Sequence, residues 1–155
     1  MSTASSCWVR SVENAALEPR EKKRVLGRRE GRLLRGRVPV LSGVVETSTA
    51  ASIRYAREAE KMGLDGLMVL PAMIYRADAA ETLAHFRAVA RGTGLPIICC
   101  NNPLAYVVDI TPQMFVELAE IRNLVAIKES SGDVRRITDL RNAVGDRLRV
   151  VLRRR

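Results

Sequence analysis

Leu124-Val125-Ala126-Ile127-Lys128-Glu129-Ser130-Ser131-Gly132-Asp133 is the stretch that decides how this chain reads. Four apolar residues run directly into a lysine. A short polar turn with a glycine follows, and then a helical pattern. An amine at the end of a buried strand is costly unless it is used. Burial disfavours the ammonium form of such an amine, which is one route by which a lysine becomes a nucleophile toward a carbonyl carbon. The competing reading is a strand-end lysine that reaches out to water or pairs with a carboxylate.

The surroundings of Lys128 favour the first reading. Val38-Pro39-Val40-Leu41-Ser42-Gly43-Val44 reads as a strand, followed by a helix over 49–62 with Ile53, Ala56, Ala59 and Met62 on one side and Gly63 as its stop. Gly66-Leu67-Met68-Val69-Leu70 is the next strand. Asp78 and Glu81 form a capping-box pattern ahead of a helix whose inner stripe is Leu83, Phe86 and Ala90. Pro96-Ile97-Ile98-Cys99-Cys100 is a third strand, ended by Asn101-Asn102-Pro103. Thr111-Pro112 starts a further helix, with threonine at the cap and proline in the first turn. Phe115, Leu118 and Ile121 supply its buried side. After the strand that ends at Lys128, Asp133 caps a helix with Val134, Ile137, Leu140 and Val144 spaced for burial. Leu148-Arg149-Val150-Val151-Leu152 closes the series as a strand.

Four successive strand–helix units therefore span residues 38–147. Their strands are short continuous apolar runs, as expected when both faces are covered. The alternation predicts an α/β fold with a parallel sheet. In such sheets chemistry gathers at the carboxyl ends of the strands. Lys128 and the Asn101-Asn102-Pro103 loop share that edge.

Charge and cysteine usage exclude several function classes. The net charge is +9, yet residues 38–152 balance thirteen basic against thirteen acidic residues. The excess lies in residues 1–37, with ten Lys or Arg against four acids, and in the three arginines 153–155. Few aromatics are interleaved with this charge, so neither a base-stacking platform nor specific nucleic-acid binding is expected. Cys7, Cys99 and Cys100 lack metal-ligand spacing, and His85 is the single histidine. No metal site is expected. No apolar run approaches the roughly 18 residues of a membrane span, and the first six residues lack a signal-peptide pattern. A cytoplasmic protein with no membrane partner is expected.

The ordered pieces Glu13-Asn14-Ala15-Ala16-Leu17, Gly63-Leu64-Asp65-Gly66-Leu67-Met68-Val69-Leu70-Pro71, Asn101-Asn102-Pro103 and Ile127-Lys128-Glu129-Ser130-Ser131-Gly132-Asp133 resemble the dihydrodipicolinate synthase / N-acetylneuraminate lyase family. The resemblance implies a (β/α)8 TIM barrel, commonly oligomeric, whose lysine matches Lys128. In that family the lysine forms an imine with pyruvate or another 2-oxo acid. The protonated imine then serves as the electron sink for aldolase, lyase, dehydratase or deaminase chemistry, without a metal or organic cofactor. A homo-oligomer acting on a small 2-oxo acid is the implied assembly.

This sequence departs from the family pattern at several points. A proton-relaying tyrosine precedes the Asn-x-Pro loop in the family; here Cys100 stands there, either as a retuned acid/base or as a decayed one. The glycine-rich, hydroxyl-bearing turn that holds the 2-oxo acid carboxylate is replaced by Arg10-Ser11-Val12, which leaves Ser11 as the substrate-binding hydroxyl. Ala105 replaces an arginine of the true synthases, an argument for a side branch. The local spacing leaves the match of Tyr75 to a subunit-bridging tyrosine open. A complete barrel takes about 250 residues. The match covers about strands two to seven, with the first strand and the eighth βα unit missing.

The expected organisation is thus a basic N-terminal segment, 1–37, holding the remnant of strand two and its helix, with Gly27-Arg28-Arg29-Glu30-Gly31-Arg32 interrupting that helix. A partial TIM-barrel domain, 38–152, and a basic tail, 153–155, follow. The alternative to an active Schiff-base lyase is a catalytically impaired, truncated member or an assembly partner without activity. Among the remaining residues, Cys99 is expected in the core, His85 at the surface or behind the reacting groups, and Glu129 in a structural ion pair. Ser130 and Ser131 suit either carboxylate binding or turn formation.

Overall fold

The computed structural model describes residues 7–8, 21, 24 and 39–152. Within them the order is β1 (Cys7–Trp8), β2 (Val40–Val44), α1 (Thr49–Lys61), β3 (Gly66–Val69), α2 (Ala79–Arg91), β4 (Ile97–Asn101), α3 (Pro103–Tyr106), α4 (Pro112–Leu118), β5 (Leu124–Glu129), α5 (Arg135–Val144) and β6 (Arg149–Leu152). The six strands form one sheet in sequential order, and every neighbouring pair is parallel. Sequential parallel order, with a helix in each crossover from β2 to β6, is barrel topology, not the doubly wound arrangement, which reverses strand order. The chain folds as a partial (β/α)8 barrel.

Local chemistry explains the element boundaries. Ser48 caps α1, its side chain accepting from the Ala51 N–H at 3.2 Å. Gly63 follows that helix at φ +74°, a left-handed conformation that a side chain disfavours. Asp78 and Glu81 exchange reciprocal bonds of 2.8 and 3.1 Å, completing the capping box ahead of α2. Thr111 caps α4 with Pro112 in its first turn. The start of α5 differs from expectation. Val134 is 79% exposed and outside the buried stripe, whereas Asp133 holds the Arg135 backbone N–H at 3.0 Å. Two charges flank Val134 at a helix start, and the chain turns it outward; Leu140 alone of that helix is fully buried.

Alternation divides the sheet into two faces. Val40, Val44, Leu67, Val69, Ile97, Cys99, Leu124 and Ile127 face the helices and pack with Tyr55, Phe86, Phe115 and Leu118 into the main core. Met68, Leu70 and Cys100 occupy the opposite, inner face, joined by the partly buried Val45, Ile98 and Tyr106. Cys99 therefore sits in the core, as expected. Tyr55 joins the same stripe of α1 as Ala56 and Ala59, and its phenol is bonded to Ser42 at 2.5 Å.

Candidate functional site

Strand β4 meets β5 with a register shift at Ile97/Ile98, after which Cys99 pairs Ile127, Cys100 pairs Lys128 and Asn101 pairs Glu129. Parallel register therefore sets Cys100 and Lys128 side by side at the carboxyl edge of the inner face. The Lys128 ammonium donates toward Cys100 Sγ at 3.8 Å. Lys128 is half-buried, while Cys100 is fully buried. Burial pushes the Cys100 thiol up from its ordinary pKa; the adjacent Lys128 charge and a hydrogen bond from the Tyr106 phenol pull it back, and Glu129 adds a smaller upward push. Cys99, enclosed on the other side of the strand, is driven up well above the ordinary thiol value first by burial and then by Cys100 and Glu129. The two adjacent cysteines thus have different environments because they face opposite sides of one strand.

The next rung is a buried polar network. Asn101, fully buried, donates from Nδ2 to Glu129 Oε2 at 3.0 Å and to Asp109 Oδ1 at 3.1 Å, and its Oδ1 accepts from the Ile110 N–H at 3.0 Å. Glu129 Oε1 accepts from the Ser131 N–H at 2.6 Å. Arg136 from α5 closes the assembly on Asp109 at 2.7 Å. The Ser130 N–H bonds Asn101 O at 2.9 Å, extending the β4–β5 pairing one residue past β5. The expectation of an ion pair for Glu129 is corrected. Among the described residues no cation lies within ion-pairing distance of it; its carboxylate is held by an amide and a backbone N–H, which a buried acceptor in a tight turn finds locally.

Ser130 Oγ is buried without a hydrogen-bond partner among the described residues. Strand alternation sets it on the same side as Lys128. Ser11 lies outside the described residues, as do the turn Arg10-Ser11-Val12, the Glu13–Leu17 motif and the 27–32 run. Tyr75 is exposed, its phenol donating to Glu81 at 2.8 Å. His85 is not at the surface. It is 4% exposed, with Nε2 on Leu70 O at 3.1 Å and Nδ1 on Thr49 Oγ1 at 2.9 Å. A carbonyl accepts only, so Nε2 carries the proton, and burial lowers the imidazole pKa. That places it on the helix side of the sheet, held to Leu70 just past β3.

Three contributors were not singled out from sequence. Tyr106 ends the single turn α3, which starts at Pro103, and its ring packs on the inner cluster beside Cys100. Asp109 and Arg136 complete the network from outside the strands. The usable signal for Tyr106 was proximity: an aromatic hydroxyl six residues beyond Cys100, after a proline that starts a turn.

Among the described residues no group of three or more His, Cys, Asp or Glu is gathered as a metal cage, and no helix is long and apolar enough to cross a membrane. The amine, thiol and phenol that converge can perform nucleophilic addition to a carbonyl with proton transfer.

Comparison with known proteins agrees with this arrangement. The family model described as "Dihydrodipicolinate synthetase family" matches residues 10–152. A 4-hydroxy-tetrahydrodipicolinate synthase of Moorella thermoacetica is 40% identical over 127 residues, 81% of this chain and 44% of that protein. One from Clostridium perfringens is 32% identical over 138 residues, 89% of this chain and 47% of its own length. Among solved structures, dihydrodipicolinate synthase of Acinetobacter baumannii, complexed with pyruvate, superposes with a TM-score of 0.88 at 28% identity, over 95% of this chain and 51% of that one. The Bacillus anthracis synthase gives 0.88 at 31% identity, over 96% and 51%. The chain spans less than half the length of these curated relatives and about half that of the solved structures. With a family match running nearly end to end and a strand-end lysine in the expected place, the chain belongs to the dihydrodipicolinate synthetase family.

Proposed function

We propose that this chain forms an imine between Lys128 and the ketone of pyruvate or a related 2-oxo acid, and uses it for lyase or aldolase chemistry. The observation that carries this is the 3.8 Å approach of Lys128 Nζ to Cys100 Sγ at the carboxyl edge of the inner face. The amine attacks the ketone carbon, the carbon–oxygen bond breaks, and water leaves. The protonated imine withdraws electrons from the adjacent carbon, which then makes or breaks a bond to a second carbonyl compound, or expels water or ammonia. The imine is itself the electron sink, so the reaction asks for no metal or organic cofactor. Ser130 Oγ, with its hydrogen-bonding capacity unfilled, suits the 2-oxo acid carboxylate; Ser11 is the second hydroxyl proposed for that role. A homo-oligomer in the cytoplasm is the setting we infer from the family.

Borohydride trapping tests the reading. The full chain is incubated with pyruvate, reduced, digested and mapped by mass spectrometry. A reduced adduct on Lys128, absent from Lys128→Ala, is expected. A folded protein with no adduct would establish the second reading, an impaired member or assembly partner without activity. That reading draws on Cys100, whose thiol is neutral and a weak donor where a stronger acid would serve.

A further inference from the structure

We propose that Tyr106 is the proton-relay residue of this site, its phenol acting on the Lys128 amine and the carbonyl through Cys100. The inference rests on the imine reading above.

Making an imine forms a carbon–nitrogen bond and breaks a carbon–oxygen bond. From the free amine to the protonated imine one proton leaves nitrogen and two reach the oxygen that departs as water, the second drawn from solvent; nothing is oxidised or reduced. The group beside the amine is Cys100 Sγ, 3.8 Å from Nζ. A thiol is a weak hydrogen-bond donor and acceptor and serves this transfer poorly alone. Tyr106 packs against the same cluster as Cys100, and its phenol favours the charged form of the thiol. Amine, sulfur and phenol thus form a continuous line from β5 through β4 to α3. The phenol gives its proton to the oxygen, the thiol passes its own proton to the phenolate, and the sulfur takes one from nitrogen in exchange, which leaves phenol and thiol as they began.

The backbone supplies an independent observation. Val107, directly after Tyr106, has φ +61°, the single positive-φ residue other than glycine among the described residues. Its side chain is 65% exposed, so packing does not hold it there. A β-branched residue in that region is strained, and such strain persists where the surroundings over-determine it, often at functional sites. Here the left-handed residue ends the one-turn α3 and turns the chain immediately after the phenol, with the Val107 N–H returning to Pro103 O at 3.2 Å.

A relay alters how fast the imine forms and leaves its equilibrium extent unchanged. The experiment follows borohydride-trapped adduct against time in the full chain, with pyruvate as probe, for the unaltered protein, Tyr106→Phe and Tyr106→His, alongside thermal unfolding. Tyr106→Phe is expected to slow adduct formation about 100-fold, with the final extent and melting temperature held. Tyr106→His, which keeps a proton-bearing ring, is expected to recover part of the rate. If Tyr106→Phe forms adduct as fast as the unaltered chain, the relay is overturned and the imine reading stands. If rate, extent and melting temperature fall together in Tyr106→Phe without recovery in Tyr106→His, the residue is structural and the relay is again overturned. Absence of adduct in the unaltered chain overturns the imine reading and the relay with it.

Discussion

Adjacent rungs of the β4–β5 ladder are built to opposite standards. The Asn101–Glu129 rung faces the packed side, where three hydrogen bonds of 3.0–3.1 Å fix Asn101 and a 2.6 Å bond from the Ser131 N–H fixes the carboxylate. The Cys100–Lys128 rung, one residue back, faces the inner side, with a long contact of 3.8 Å between its two side chains and a half-buried amine. Buried polar groups left loose are costly, and a satisfied network rigidifies its surroundings. The tight rung holds the two strand ends in register, and that leaves the loose rung free to keep a reactive amine without a strong partner. Stability and chemistry are separated by one residue of alternation.

The separation is broken most severely from the core side. Phe115, fully buried in the layer between helices and sheet, truncated as Phe115→Ala, is expected to cost about 3–5 kcal/mol in denaturant unfolding. If the faces are as independent as the geometry says, adduct formation per folded molecule stays unchanged. A parallel loss of trapping in the folded fraction would show that the inner face depends on core packing throughout. Asn101→Ala tests the boundary between the rungs more gently. It strips Glu129 and the Ile110 N–H of a buried partner, an expected loss of about 1–3 kcal/mol. Because Asn101 holds the strand ends together, trapping on Lys128 is expected to slow as well, although the residue has no contact with the amine. Unchanged trapping kinetics in this variant would separate the tight rung from the chemistry altogether.

The division of the two faces was largely legible in the sequence. Cys99 and Cys100 are consecutive, and period-two alternation alone assigns one to the core and one to the inner edge. The parallel sheet followed from short apolar runs between helical stripes, and the family motifs placed Lys128. The tight rung was less legible. Glu129 invited a structural ion pair because it alternates away from Lys128, and a local amide with a turn N–H satisfied it instead. Val134 fitted the spacing of a buried stripe, but the Asp133–Arg135 pair at the helix start turned it outward. For His85 the sequence left surface and second layer both open, and a carbonyl and a hydroxyl from two other segments decide for burial. These misses share one cause. Each depends on a partner supplied by the fold or by a turn, which residue spacing within one element does not encode. Tyr106 is of the same kind, since only the turn started at Pro103 brings it back over β4.

The smallest expected effect bears on that turn. At φ +61° a valine carries a left-handed penalty of about 1–2 kcal/mol that a glycine escapes. Glycine in turn gives the unfolded chain more freedom, which costs roughly 0.5–1 kcal/mol. With the Val107 side chain 65% exposed, little packing is lost, so Val107→Gly is expected to stabilise the protein by about 0.5–1 kcal/mol in chemical denaturation. The same change loosens the backbone beside the phenol, and adduct formation is expected to slow while stability rises. A gain in stability with unaltered trapping would mean that the strain is incidental to the loose rung. Opposite movement of the two measurements would tie the left-handed valine to the placement of Tyr106, and would show that the inner rung draws its order from α3 as much as from the tight rung behind it.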